Sequence, residues 1–270
     1  MPNTLATPPR RPSTRATLQE RSGVSAADQV TAEAPSASVR YTLDFVRAAL
    51  GDGASRVLEI GCGTGELAQL LMGQGLDIHA IDQDADAVAE ACARGVKAEC
   101  MRWPQELDCR YDAVLFTRSL HHIEDLAGAV SAARDALLPG GRVIVEDFRA
   151  EGGSARSAAW YLGIVELLIA SGVAIGDLEA LASKLDVSHD AHHLHSSGAI
   201  ASALSAEFVL TAEDAAYYFR YLEPSLPDRQ CTEALLRHEI GLMRSGCIDP
   251  LGKRFVGVSE GGSSDATGTG

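Results

Sequence analysis

The sequence predicts an α/β domain with a mostly parallel sheet and helices on both faces, and three observations carry that expectation. Short apolar runs alternate with segments of helical period from about Val39 to Phe148. The run Val57-Leu58-Glu59-Ile60 passes directly into glycines at 61, 63 and 65, and Leu67 to Met72 continues at helical spacing. Those glycines therefore occupy a strand-to-helix turn. About 20 residues further on, a second apolar run, Asp77-Ile78-His79-Ala80-Ile81-Asp82, ends in a carboxylate at the edge where nucleotide-binding sheets of this class hold a ribose.

The elements follow in order. Val39, Leu43, Val46 and Leu50 share one face of a helix that packs beside the sheet. Tyr41 on that helix reads either as a pocket residue or as a partly buried packing tyrosine. In the turn, Gly61, Gly63 and Gly65 lack a Cβ, which lets backbone N–H groups approach a ligand at a helix N-terminus. A dinucleotide fingerprint would need a glycine at position 66, and the chain has Glu66 there, whose carboxylate would face a pyrophosphate. Cys62 fits the tight turn as a small side chain. Tyr111 to Phe116 forms a further apolar strand, followed by Thr117-Arg118-Ser119-Leu120-His121-His122, and Leu137 to Phe148 reads as the end of a helix, a Pro139-Gly140-Gly141 turn and another strand.

Glu59-x-Gly61-x-Gly63-x-Gly65 resembles the first motif of the class I S-adenosylmethionine-dependent methyltransferases, and the later segments match that family's motifs in order over roughly residues 55 to 148. The resemblance implies a Rossmann-like, seven-stranded, mostly parallel sheet with an antiparallel last strand, and S-adenosyl-L-methionine as cofactor. It implies that Glu59, Gly61, Cys62, Gly63 and Gly65 surround the methionine amine and ribose, that Asp82 accepts from the ribose hydroxyls, and that Gln83 stacks on adenine. Where the family usually carries an acidic residue for the adenine amino group, this chain has Arg102, so Trp103 stacking or a backbone carbonyl takes that role. Thr117 and Arg118 fall at the methionine end, where Arg118 has the alternative of pairing with Glu146 or Asp147. Tyr41 would lie along the rim of the same pocket.

After the fifth strand the pattern departs from the minimum for such a domain. Residues 150–206 read as a helical lid inserted before the last strands, with helices around Ala155 to Ala170, Asp177 to Leu185 and Ala199 to Leu204. Such an insertion lies over the C-terminal strand edge, where open α/β sheets bind ligands. Phe208 to Thr211 and Arg254 to Val258 read as the closing antiparallel pair, separated by a helix from about Asp228 to Arg244 that Gly246 and Pro250 stop. Residues 36–258 then form the methyltransferase domain. Residues 1–35, rich in Pro, Ser, Thr and Arg, read as a disordered or loosely docked arm, and 259–270 as a Gly/Ser/Thr tail.

Methyl transfer asks a protein to align the acceptor, exclude water and remove a proton. His121 and His122, at the pocket mouth, and His192, in the His-rich run His189-Asp190-Ala191-His192-His193-Leu194-His195, are the candidate bases or acceptor-lining residues; a packing role stays open for the first two. That run lacks the spacing of a metal motif, and no metal is expected. Trp160, Tyr161, Tyr217, Tyr218, Phe219 and Tyr221 suit either a core or a small planar acceptor. Lys and Arg number 23 against 37 Asp and Glu, a net charge of −14, which disfavours nucleic acid as the substrate. Six cysteines without a C-x-x-C pair, and no apolar run long enough to span a bilayer, fit a cytoplasmic protein, monomer or homodimer, that makes no membrane contact. The expected activity is methylation of an O or N atom of a small molecule. A non-catalytic cofactor-binding protein acting on a partner, or another transferase using the same nucleoside, are the alternatives.

Overall fold

Strands β1 (Arg56–Ile60), β2 (Asp77–Asp82), β3 (Lys97–Cys100), β4 (Tyr111–Thr117), β5 (Leu137–Phe148), β6 (Val209–Ala215) and β7 (Gly252–Val258) form one sheet in the order β3-β2-β1-β4-β5-β7-β6. The computed structural model describes residues 34–173, 178–183 and 194–259. β7 runs antiparallel to both β5 and β6, and the remaining neighbours pair in parallel. The seven-stranded, Rossmann-like sheet is therefore the one the motifs imply.

Strict alternation along the central strands sorts their side chains onto two faces. Val57, Ala113, Leu115 and Ile144 face the helices α1 (Ala37–Leu50), α2 (Glu66–Met72) and α3 (Ala85–Ala93), meeting Val46, Leu71 and Ala91. Leu58, Ile60, Val114, Phe116, Val143 and Val145 face the other way, against α4 (Leu126–Asp135) and α7 (Ser197–Glu207). Burying each such Val, Leu or Phe contributes about 1.5–3 kcal/mol. A third apolar cluster joins α5 (Ala155–Ala170), α8 (Tyr218–Leu222) and α9 (Arg229–Arg244) through Tyr161, Val165, Tyr218, Phe219 and Leu235. A short helix, α6 (Leu178–Ala182), is joined to α5 by the Tyr161 hydroxyl, which donates to the Leu181 carbonyl at 3.3 Å.

Local chemistry sets the boundaries. α1 begins two residues before the periodic pattern because the Ser36 hydroxyl accepts from the Val39 N–H. The Asp228 carboxylate accepts from the Cys231 N–H at 2.8 Å and fixes the start of α9. β5 differs from expectation. Leu137 already pairs with Tyr111, whereas the next β4 partner, Ala113, pairs with Arg142, so Pro139, Gly140 and Gly141 bulge out of a strand rather than separate it from a helix. The reach of β6, to Ala215, also exceeds the expected Thr211, because it follows β7 residue by residue down to Gly252.

Candidate active site

Between β1 and α2 the chain turns on the glycines. Gly61 (φ 76°) and Cys62 both donate their N–H groups to the Ile81 carbonyl, at 2.8 and 3.1 Å. A Cβ on Gly61 would lie 2.4 Å from the Ser119 Cβ, and Ser119 is itself held by a 2.6 Å bond from its hydroxyl to the Ile60 carbonyl. Gly63 (φ 53°) is different: a Cβ there would meet nothing within 4 Å, because the position opens onto a cleft. Gly65, in left-handed conformation, starts α2.

The cleft encloses about 710 Å³. Gly61, Gly63, Asp82 and Gln83 reach it from the ends of β1 and β2, Arg102 and Trp103 from the loop after β3, and Arg118, Ser119 and His122 from the segment after β4. Asp82 is held rigidly at this edge: Oδ2 accepts from the Gly63 N–H at 2.8 Å and Oδ1 from the Asp84 N–H at 2.9 Å. Each oxygen keeps lone pairs for a ligand, the arrangement vicinal hydroxyls need. Trp103 is mostly buried, with its indole N–H donating to the Ala129 carbonyl at 3.0 Å, so only part of its ring meets the cleft.

Glu59, Cys62, Thr117, His121 and Tyr41, all expected at the site, do not line the cleft. Glu59 is buried under the glycine turn; Thr117 donates to its Oε1 at 3.4 Å, while Oε2 has no partner. Burial pushes its pKa up to about 8 against the opposing pull of Arg118 and Thr117. The Cys62 thiol sits in the apolar cluster and is pushed up to about 12, by burial first and then by Glu59 and Asp82. Tyr41 is not brought into the cleft. Its hydroxyl accepts from the Ala216 N–H at 3.2 Å, and its ring lies 4.0 Å beneath the Arg254 guanidinium and edge-on to Phe219. These contacts hold it against β7 and α8 instead.

His121 and His122 form a short helical turn, Leu120–His122, after β4. His121 is buried, with Nδ1 2.7 Å from Asp147 Oδ1 in an approach bent away from a straight hydrogen bond, and its main-chain N–H points to Asp147 Oδ2 at 3.3 Å. Its ring stacks edge-on against Phe148. Asp147 thus meets His121, not Arg118. His195 anchors the start of α7 to the same turn, its N–H donating to the His121 carbonyl and its Nε2 lying 2.9 Å from the Ile123 carbonyl. His189, Asp190, His192 and His193 lie outside the described residues, and among the described residues no group of His, Cys, Asp or Glu could hold a metal ion.

Sequence reasoning missed a buried hub beside the cleft. Glu146, on β5, accepts from the Thr42 hydroxyl at 2.5 Å, from Arg220 at 2.7 Å and from Arg254 Nε at 2.7 Å. Burial opposes its charge, yet Arg220 and Arg254 outweigh that and hold the carboxyl below its usual range. Arg118, at φ 60°, stands 3.6 Å from the same carboxylate. One sign was available: Arg254 joins the apolar Phe255 and Val256 on a closing strand, and a charged residue buried there needs a partner.

This strand order, with a glycine turn under a carboxylate-edged cleft, defines the class I methyltransferase fold. The chain belongs to that family: residues 32–186 match the family model described as a methyltransferase domain. An uncharacterized methyltransferase of Mycobacterium tuberculosis is 35% identical over 117 residues, 41% of this chain and 58% of that protein. A ubiquinone biosynthesis O-methyltransferase of Xylella fastidiosa is 30% identical over 38% of this chain and 46% of its own length. The chain thus spans about half the length of the curated relatives it matches. The plantazolicin methyltransferase BamL, solved with a triazolic desmethylPZN analog and SAH, shares the fold with a TM-score of 0.51 and 16% identity over 82% of this chain and 83% of its own. No helix among the described residues is long and apolar enough to cross a membrane.

Proposed function

We propose that the chain transfers the methyl group of S-adenosylmethionine to an oxygen or nitrogen atom of a small molecule. The observation that carries this reading is the cleft edge formed by Asp82 and Gly63, a fixed carboxylate with free lone pairs beside a backbone that no side chain obstructs. The residues fit that cofactor on a second count: Glu59 Oε2, under the glycine turn, is a buried acceptor with no partner, which a methionine ammonium would supply. Asp82 would hold the ribose, Gln83 and Trp103 would flank the adenine, and Arg118 would face the methionine end.

When bound, S-adenosylmethionine supplies a methyl group on a sulfonium, an activated electrophile. The chain's own work is alignment, exclusion of water and proton removal. For the last of these, Asp147 beside Nδ1 favours the His121 tautomer with its proton on that nitrogen, which leaves Nε2 a lone pair with which to take a proton from a hydroxyl or an ammonium. The relative that acts in ubiquinone biosynthesis is named as an O-methyltransferase, which agrees with a small-molecule acceptor.

Calorimetric titration with S-adenosylmethionine and S-adenosylhomocysteine tests the cofactor, and Asp82→Ala should weaken both by about 100-fold through loss of two charge-assisted hydrogen bonds. Undiminished affinity in that variant would remove the ribose assignment. Transfer of a labelled methyl group into a metabolite extract then separates an enzyme from a protein that only binds the cofactor.

A further inference from the structure

Tyr217, which precedes α8, is fixed by its main chain and its ring but not by its hydroxyl. Glu239 on α9 accepts its main-chain N–H at 2.6 Å, along with those of Tyr218 and Phe219. Its ring centroid lies 5.4 Å from that of Phe148, the last residue of β5, and 5.5 Å from that of Tyr221. The Arg220 guanidinium covers the same ring at 5.5 Å. The residue is 8% exposed, yet its hydroxyl takes no hydrogen-bond partner among the described residues. A hydroxyl withdrawn from water without a partner costs free energy, which a ligand group would return.

The hydroxyl shares its surroundings with the pair assigned to proton removal. Phe148 stands between them, its ring 4.7 Å from that of His121 and 5.4 Å from that of Tyr217. Burial comes first among the influences on the hydroxyl; of the charges, Arg118 bears on it most, followed by Arg220, Asp147 and Glu146. Those residues belong to the C-terminal ends of β4 and β5 and to α8. Arg118 and His122 line the cleft, and the His122 ring lies 4.0 Å from that of His121. His121 and Tyr217 therefore back the same wall of the cleft. Burial pushes the Tyr217 hydroxyl up to about 12, so at neutral pH it stays an O–H that both donates and accepts.

We propose that Tyr217 is an acceptor-binding residue of the transfer site, its hydroxyl holding the atom that receives the methyl group while His121 takes that atom's proton. The inference rests on the cofactor reading above. The hydroxyl donates to the second lone pair of an oxygen acceptor, or accepts from the N–H of a nitrogen acceptor. The other lone pair forms the bond to the methyl carbon, the carbon–sulfur pair returns to sulfur, and the acceptor's proton goes to His121 Nε2.

The test uses sinefungin, which carries an ammonium-bearing carbon where S-adenosylmethionine carries its methylated sulfonium; S-adenosylhomocysteine has no substituent there. Both are titrated into wild type, Tyr217→Phe and Tyr218→Phe, the last of which removes a buried hydroxyl from the neighbouring residue. Tyr217→Phe should weaken sinefungin by about ten-fold and leave S-adenosylhomocysteine within about two-fold, because the lost hydroxyl accepts a bond from a charged donor. Tyr218→Phe should leave the ratio of the two affinities at its wild-type value. A ratio unchanged in Tyr217→Phe, whether both affinities fall or neither does, would show a packing role and overturn the inference. So would an equal change of the ratio in Tyr218→Phe, or wild type that binds S-adenosylhomocysteine but not sinefungin. Wild type that binds neither compound would remove the cofactor reading instead.

Discussion

The main-chain N–H of His195 donates to the carbonyl of His121 at 3.0 Å, which ties the root of α7 to the turn after β4. The second tie, from the His195 ring to the Ile123 carbonyl, depends on the side chain. His195→Ala should therefore cost about 1 kcal/mol and lower the melting temperature by about 2–4 °C. An unchanged melting curve would show that the ring bond contributes nothing.

Asp147 and His121 carry the prediction about chemistry. Asp147→Asn keeps the shape of the pair but removes the charge that selects the His121 tautomer. With whichever acceptor the labelled screen returns, turnover should fall by about 100-fold or more while S-adenosylhomocysteine affinity holds. Equal turnover in the variant would assign the pair to packing.

Glu59 sets a pH dependence with a definite sign. With its pKa pushed up to about 8 by burial, it is mostly protonated at neutral pH in the free protein. A cation bound at Oε2 favours the carboxylate, so binding releases a proton. Cofactor affinity should then rise with pH up to about 8 and level off above it, by at most about ten-fold per pH unit. The same raised pKa makes Glu59's contribution to stability full below about pH 4.5 and lost as the pH rises through about 8. Titrations of wild type and Glu59→Gln across this range should differ in slope, and parallel profiles would exclude Glu59 as the coupled group.

Two glycine substitutions should fail in different ways. Gly61→Ala drives a methyl group into Ser119, so destabilisation comes first, visible as a lower melting temperature before any ligand is added. Gly63→Ala meets no protein atom and keeps a backbone angle that costs about 1 kcal/mol for alanine, so the variant folds and loses ligand affinity instead. If Gly63→Ala binds S-adenosylhomocysteine normally, the ligand does not pass over that turn.

Much of this site was legible because its signals are local. The glycine turn, Asp82 at a strand end and the Asp228 cap each declare themselves within a few residues, and the period of Val57 to Ile60 assigns them to a buried strand. The β5 bulge was not legible, since its register is set by partners on β4, and Pro-Gly-Gly reads as a loop in isolation. Tyr41 shows the limit most clearly: helix spacing placed it beside the sheet, but only Arg254 and Ala216, some 175 to 213 residues away in the chain, decide which way it turns. Of the Glu146 hub, the sequence offered the Arg118 pairing, whereas Thr42, Arg220 and Arg254, 74 to 108 residues from Glu146, are brought there only by the fold.

That hub has a consequence for how the polypeptide matures during synthesis. Its carboxylate waits for a hydroxyl from the N-terminal helix and for guanidinium groups from α8 and from β7, the last strand. A nascent chain still missing β7 would have to bury that negative group half-compensated, at a cost of several kcal/mol. The hub beside the cleft is therefore complete only once β7 has joined the sheet.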